Sequence, residues 1–499
     1  MARFSFPPRA SRGAILGFTA GQLVMSTSGL LLLVGALNLA VAGDKLAATG
    51  VALAAGVVFI VGLARIKGRR LTEWLPIVIG ALAQQARRQD RYRGAIFAPF
   101  GAEQLDLPGP LAGYEWLPAV RSDGLTPVGL LHHRAERTVT AVLACAGRNF
   151  LLADSSEQER RLVDWSAALN TLAVEYGERH LVRWALWTRA VPDVGNRAQR
   201  HLVDKAVDTT SAAYRSLAAL TAAAAPGAQR QETYLVAVFD VARMSREIKN
   251  LGGGDEATAV LVTESLEGIE STVAEAGVGV GGWLPPRQLA AVIRSQFDPA
   301  DAAAIDIRGG GGIAEGISPT AAGPAAAEAD GWLAYRHDSA YSQTLWVYEM
   351  PRQDVSMTWL TPLFTASNVR RSISLTCQPV PAAMAAFQSR RERVARAGDE
   401  TTKRKLRLLR TAREIAEGKS VDALDREQAA GHARLNYALL ITVTSPTRAR
   451  LDRDVLSIKR RLARARCEAV VLAGEQDQSF FAAGLPLARG LKPLRGPLL

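Results

Sequence analysis

The hydrophobic and polar positions sort this chain into distinct regimes. From Gly13 to Gly43 there is no charged residue, and Gln22 to Ala42 is mostly apolar, with Leu30-Leu31-Leu32-Leu33-Val34 near its centre. About 21 residues at 1.5 Å each reach about 31 Å, the hydrocarbon thickness of a bilayer. Gly43-Asp44-Lys45 predicts a tight turn, and Leu46 to Ala64 is a second uncharged run. The pattern predicts a two-helix transmembrane hairpin, with Gly50, Ala54 and Gly56 as the small residues that let the helices approach. A signal peptide competes, because Arg3, Arg9 and Arg12 precede the first run. The run is too long for that reading, and the second span follows with no cleavage site between. Those arginines before the hairpin, and Arg65, Lys67, Arg69 and Arg70 after it, place both flanks in the cytoplasm.

Beyond the hairpin, Leu71, Trp74, Leu75, Ile77, Val78, Ile79 and Leu82 precede Arg87, Arg88, Arg91 and Arg93. Two readings stand: an interfacial helix with Trp74 at headgroup depth, or a packed connector. Asp106 to Pro118 is marked by Pro and Gly as a linker. Strand and helix patterns then alternate. Thr138–Ala144, Leu181–Thr188 and Tyr234–Phe239 read as strands; Glu157–Tyr176, Gln199–Leu220, Ala257–Glu275 and Pro286–Phe297 read as helices. Gly309 to Gly312 and Ile317 to Asp330 form a Gly/Ala/Pro stretch, expected to be a loop between two halves. In the second half Ser342–Tyr348, Arg371–Cys377, Asn436–Thr444 and Cys467–Leu472 read as strands. Ala382–Lys419, Arg448–Arg464 and Gln476–Ala483 read as helices.

The expected class is α+β: a transmembrane hairpin followed by soluble α/β domains with short antiparallel sheets, ferredoxin-like in the second half. The expected division is 1–70, the hairpin with both ends inside; 71–118, the interfacial or connector helix and linker; and 119–308, a first soluble domain. A linker at 309–330 and a second soluble domain at 331–499, carrying the long charged helix 382–419, complete it.

Composition narrows the partners. The 499 residues are 48% hydrophobic and 22% charged, which excludes a disordered polymer and a polytopic carrier. The net charge of +12 and pI near 9.9 suit nucleic acid, anionic lipid or an acidic protein without choosing among them. Arginine far outnumbers lysine, which reads as the mark of a GC-rich, actinobacterial genome. Cys145, Cys377 and Cys467 are far apart and form no CxxC or Cys/His cluster, so neither zinc nor a disulfide framework is indicated.

The candidate chemistry is thin. Glu417-Gly418-Lys419-Ser420 matches the end of a phosphate loop, but Arg413 stands where its first Gly belongs and a charged helix precedes it. Gly252–Gly254 and Gly309–Gly312 carry no G-x-G-x-x-G pattern. His132 and His133 are adjacent, so on a strand they face opposite ways and make no metal pair. Tyr335-Arg336-His337-Asp338-Ser339 holds Ser, His and Asp together, but a triad needs convergence in space, and no G-x-S-x-G elbow occurs. Arg390 to Arg413 and Arg448 to Arg466 are basic enough to meet DNA phosphates, yet interspersed acids favour solvated helices with i,i+4 pairs. No catalytic, cofactor-binding or metal residue is assigned, and no cofactor.

Several segments resemble an actinobacterial family of membrane proteins found with conjugation-type (type IV) secretion machinery. They are Val128-Gly129-Leu130-Leu131-His132-His133, Tyr335 to Tyr341 continuing through Trp346, Met350-Pro351-Arg352, and Phe481-Ala482-Ala483-Gly484-Leu485-Pro486-Leu487. In that family a PrgI-like hairpin is joined to a region similar to the N-terminal domain of the conjugative secretion ATPase, without the motor. The resemblance implies a non-enzymatic scaffold at the inner face of the cytoplasmic membrane. Its partners would be the lipid bilayer, a separate secretion ATPase and other channel subunits, with direct nucleic-acid contact a further candidate. The alternatives are an EccE-like component of a type VII secretion membrane complex and a membrane-tethered enzyme.

Overall fold

In a computed structural model the chain is described over residues 20–63, 65–66, 69–86, 90–94, 105–147, 150–192, 197–224, 229–308, 315–365, 368–405 and 422–491. The class is α+β, with two apolar N-terminal helices and one large antiparallel sheet. Two compact units divide it. One takes in the described residues up to 88 together with those of 382–431; the other takes in those of 89–381 and 432–499.

The first unit begins with helices α1 (Ala20–Val41) and α2 (Lys45–Leu63). Both are long and apolar enough to cross a membrane. Gly43, at φ 94°, takes the left-handed turn between them, and the Asp44 carboxylate accepts from the Ala47 amide at 3.1 Å to cap α2. The close-approach residues differ from those expected. Gly50 and Gly56 face open space and Ala54 is exposed. The contact is made instead at Gly29, where a Cβ would come 2.9 Å from the Phe59 ring, and at Gly62, where one would come 3.0 Å from Met25 Cβ. Ala36, Ala48 and Ala55 are buried beside them. Gly29 and Ala36, and Ala48, Ala55 and Gly62, recur at heptad spacing, the period that keeps one seam facing a partner helix. Leu31, Leu37 and Leu53 point away, each more than 60% exposed. A short ladder, β1 (Arg65–Ile66) and β2 (Arg69–Arg70), and helix α3 (Leu71–Ala86) follow.

The second unit is built on a 13-stranded sheet in which every pairing is antiparallel. After the edge strand β3 (Arg91–Arg93), its first half runs β4 (Tyr114–Leu117), β5 (Leu130–His133), β6 (Thr138–Ala146), α4 (Ser155–Glu178) and β7 (Leu181–Pro192). Helices α5 (Arg197–Lys205) and α6 (Ala212–Ala224) come next, then β8 (Gln229–Asp240), α7 (Ser245–Asn250), α8 (Gly254–Glu275), β9 (Gly279–Trp283), α9 (Pro286–Phe297) and α10 (Ala302–Arg308). The second half runs β10 (Ala326–Asp330), β11 (Ala334–His337), β12 (Ala340–Glu349), α11 (Thr361–Phe364) and β13 (Arg370–Pro379). Helix α12 (Ala382–Lys405) and helical residues 422–429, labelled α13, belong to the first unit. The sheet resumes with β14 (Leu435–Ser445), α14 (Arg448–Arg464), β15 (Glu468–Val471) and α15 (Gln476–Ala483).

The strand order is β3-β10-β11-β12-β14-β13-β7-β8-β6-β5-β4, with β15 on β12 and β9 on β6. Apart from β3 this order reads the same from both ends. The register makes the two halves equivalent residue by residue. Thr140–Val238–Arg183 is a cross-sheet row in the first half, and Ser342–Thr444–Arg370 is the matching row in the second. Leu143 pairs with Trp283 as Leu345 pairs with Val471. The next amides, of Leu284 and Leu472, bond to the Val142 and Thr344 carbonyls. At the junction Trp184 pairs with Cys377 and Ala190 with Arg371, so a local twofold passes through the pair Trp187–Ser374. The sheet is thus an internal repeat joined edge to edge. The residue pattern alone does not reveal it, because identical residues such as Leu143 and Leu345 are scattered among equivalent positions that differ, such as Val238 and Thr444 or Trp283 and Val471.

Packing follows the alternation of the strands. On β8, Tyr234, Val236 and Val238 face one core with α9, Phe480 and Phe481. Leu235, Ala237 and Phe239 face the other with α4 and α8. On α14, Leu451, Val455, Ile458 and Leu462 are at most 5% exposed and pack on β12 and β14. Each such side chain is worth about 1.5–3 kcal/mol, against about 0.3–0.5 for each exposed helical ion pair. Packing therefore places this helix.

Three expectations are corrected. Asp106–Pro118 is no linker: Leu107, Leu111, Tyr114 and Trp116 are buried in the core and Tyr114–Leu117 is strand β4. Ala326–Asp330, expected as loop, is strand β10 between β3 and β11; neighbouring strands satisfy its backbone, which small side chains permit. Gln199–Leu220 is two helices, because Asp208 and Ser211 form a turn with Thr210 and Tyr214 that begins α6 anew. Positions 406–419 of the stretch 382–419, expected as one long charged helix, lie outside the described residues.

Candidate functional site

The sequence candidates resolve into packing or into distance. His337 is fully buried; its Nδ1 lies 2.6 Å from the Phe297 carbonyl and its Nε2 2.8 Å from Ser342 Oγ. A carbonyl only accepts, so the proton sits on Nδ1 and Ser342 donates to Nε2. Burial pushes the imidazole down to about 4, so it is neutral at pH 7. Ser342 donating to a histidine has the polarity of a nucleophilic dyad, but Ser342 is 1% exposed and no substrate reaches it. Asp338 does not complete a triad: it sits at φ 36° in the β11–β12 turn and accepts from Arg294 Nη1 and the Ala326 amide, both at 2.8 Å. Ser339 donates instead to Asp298. This segment pins the turn to α9.

His132 and His133 are both buried and face apart. His133 Nε2 lies 2.9 Å from the Pro110 carbonyl, and His132 Nδ1 lies 4.0 Å from Asp255 on α8. Gly252, Gly253 and Gly254 all have positive φ and form the turn into α8. Cys145, Cys377 and Cys467 are free, each raised above the usual thiol range by burial. Among the described residues no group of three or more metal-ligating side chains assembles. Glu417–Ser420 and Gly309–Gly312 lie outside the described residues. On α14 the basic stretch is laced by the pairs Arg448–Asp452 and Arg450–Asp454.

Two arrangements were not foreseen. The first joins two of the segments that carry the family resemblance, at Tyr335 and Phe481. Tyr335 and His337 of β11 stack on Phe480 of α15, with ring centroids 5.3 and 4.6 Å apart, and Phe481 meets Tyr335 edge-on at 5.6 Å. The register makes His337 the counterpart of His133: both close the hairpin that opens the long third strand of their half. The second is a pocket of about 160 Å³ over β7 and β8, roofed by α9, α10, Glu315 and Gly316. Arg189, Arg230, Glu232 and Arg370 line it. Glu232 accepts from Arg189 Nε at 2.6 Å and Tyr234 Oη at 2.8 Å, and pairs with Arg230. Burial works against its charge, yet Arg189 and Arg230 hold the carboxyl at about 2. Charges set far apart in sequence meet here through strand pairing, which sequence spacing could not signal.

No protein-family model matches the chain, and no curated protein matches it at a significant level.

Proposed function

We propose that this chain is a non-enzymatic scaffold of a conjugative or type IV-like secretion system, held in the cytoplasmic membrane by its hairpin and docking a separate ATPase there. The observation that carries the reading is the packing of the family-like segments on one another. Tyr335 of one segment meets Phe481 of another edge-on, and Leu131, Leu485 and Leu487 share their core, so three of the four segments pack into one structural unit. The seam of small residues between α1 and α2, with leucines outward, supports a membrane-spanning pair, and the basic residues flanking it support both ends in the cytoplasm. A ferredoxin-like assignment of the second half is supported by the order β15-β12-β14-β13, with α11 and α14 as the crossovers. The same order, β9-β6-β8-β7, supports extending that assignment to the first half.

The test is affinity purification of the full chain from its own cells in mild detergent. A motor ATPase of the conjugative secretion type should co-purify in stoichiometric amount. Recovery of a type VII secretion ATPase in its place would select the EccE-like alternative. Nucleotide turnover by the purified chain alone would overturn the scaffold reading. A reporter enzyme fused after residue 100 should behave as cytoplasmic, and exterior activity would reverse the topology.

A further inference from the structure

Helices α12 and α13 pack as a pair with two unlike outer sides. Ser389 Oγ of α12 donates to Gln428 Oε1 at 2.9 Å, and Arg393 pairs with Asp425 at 3.4 Å. The contacts step forward on α12 and back on α13, so the helices run antiparallel. Positions three, four and seven apart share a helix face. Ala385 and Ser389 are buried on the face toward α13. Glu392, the only acid from 382 to 398, falls on that same line and is half-buried and engaged.

The opposite side of α12 is bare. Ala383, Phe387, Arg390 and Val394 fall on one line, with Arg391 beside it, and all five are exposed. Phe387 is 64% and Val394 66% exposed, so neither helps to hold the helix in place. Arg390 and Arg391 make no ion pair or hydrogen bond among the described residues. The acid within this stretch therefore does not neutralise the outward face. Helix α13 is the reverse, with Asp422, Asp425 and Glu427 against Arg426 alone. The pair is basic and apolar along one helix and acidic along the other.

A basic face can meet nucleic acid or anionic lipid, and the two need different neighbours for their charges. Phosphates along a nucleic acid call for basic and polar groups. A charged bilayer surface also takes up apolar side chains, which sink to the headgroup–acyl boundary while arginine stems reach outward. Phe387 and Val394, one heptad apart with Arg390 between them, fit the second. The pair also belongs to the same compact unit as α1 and α2.

We propose that the outward face of α12 lies on anionic lipid headgroups of the cytoplasmic leaflet, with Phe387 and Val394 at the headgroup–acyl boundary and Arg390 and Arg391 among the headgroups. This rests on the reading of α1 and α2 as a membrane-spanning pair with both ends in the cytoplasm. The acidic α13 turns away from the same surface, so charge alone orients the pair.

The test uses the full chain, one copy per lipid nanodisc, with a fluorophore at Phe387→Cys and lipids carrying a nitroxide quencher near the headgroup. The parent chain, labelled alike, gives the background of its own cysteines. Discs of phosphatidylcholine with phosphatidylglycerol should quench the label, and discs of phosphatidylcholine alone should quench it far less. Molar salt should shrink the difference, because a Debye length of about 3 Å screens the headgroup charge. Each arginine near an anionic leaflet strengthens the contact about fivefold. Arg390→Gln with Arg391→Gln, both at exposed sites, should therefore lower the quenched-to-unquenched ratio about twentyfold. The label at Ala429→Cys, exposed on α13, should stay in water. A label at Leu37→Cys, outward on α1 and read with a nitroxide deep in the acyl chain, separates the two readings. Quenching at Leu37 without quenching at Phe387 in the charged discs overturns this inference alone. A Leu37 label that stays in water removes the hairpin reading and this inference with it. Equal quenching at Phe387 in neutral and charged discs would overturn the anionic surface. A Phe387 label that responds to duplex DNA and not to lipid would give the face to nucleic acid, and one shielded only in vesicles crowded with several copies would give it to a second copy; either overturns the proposal.

Discussion

At the scale of single residues, the polar groups of the sheet body hold elements in place through few bonds, each without a substitute. Trp187 is fully buried and its indole donates to the Ala483 carbonyl at 2.8 Å. Trp187→Phe keeps most of the apolar area but strands that carbonyl, and should cost about 1–3 kcal/mol; chemical denaturation of the sheet reads this directly. His337 makes stability depend on pH. Its folded value near 4 lies below the ordinary 6.5, so between those values the unfolded chain takes up a proton that the folded chain refuses. Stability is therefore complete above about pH 6.5 and falls as pH drops toward 4, by roughly 3 kcal/mol in full. Thermal midpoints of the parent and of His337→Gln between pH 7.5 and 5 check this. The difference between them should shrink as the pH falls, and parallel curves would show that His337 does not titrate in the unfolding transition. The residue types of His337 and Trp187 were plain in the sequence, but their partners were not, since Ser342, Phe297 and Ala483 meet them only through packing.

At the scale of elements, the hairpin and the strands were legible for different reasons. An uncharged run near bilayer length has few structural outcomes, and α1 and α2 fall where the runs predict. Which glycines touch was not legible. Small residues occur all along both runs, and helix rotation alone selects Gly29 and Gly62 over Gly50 and Gly56. The pair Met25→Cys with Gly62→Cys should therefore crosslink within one chain under mild oxidation. The Cβ separation of 3.0 Å for a residue built at 62 needs only a small outward shift to reach the roughly 3.8 Å of a disulfide. The pair Met25→Cys with Gly56→Cys should stay reduced, and equal crosslinking of the two would refute this helix face. Strands β4 and β10 were missed because Pro, Gly and Ala dominate them or their flanks; pairing partners supplied what local propensity did not.

At the scale of the whole molecule, the sheet body is a palindromic array with its junction at β7 and β13. The central strands are paired on both edges and covered on both faces, so their amides should exchange with solvent more slowly than those of β3 and β4 at the ends. Hydrogen-exchange mass spectrometry of the full chain should find β7, β8, β13 and β14 the most protected. Protection that drops at β7 and β13 would mean that the halves open independently. By itself the sequence determined the apolar hairpin, the α+β class and most of the central strands and packed helices. Each of these follows from short-range periodicity, which burial of one face or two imposes on neighbouring residues. Tertiary structure alone decided the rest: the twofold register, the swapped reach of Arg183 and Arg370, and the gathering of Arg189, Arg230 and Glu232 around one cavity. Those contacts join positions tens to hundreds of residues apart, and the pairing of two antiparallel strands leaves no local trace of which partner, or which register, will form.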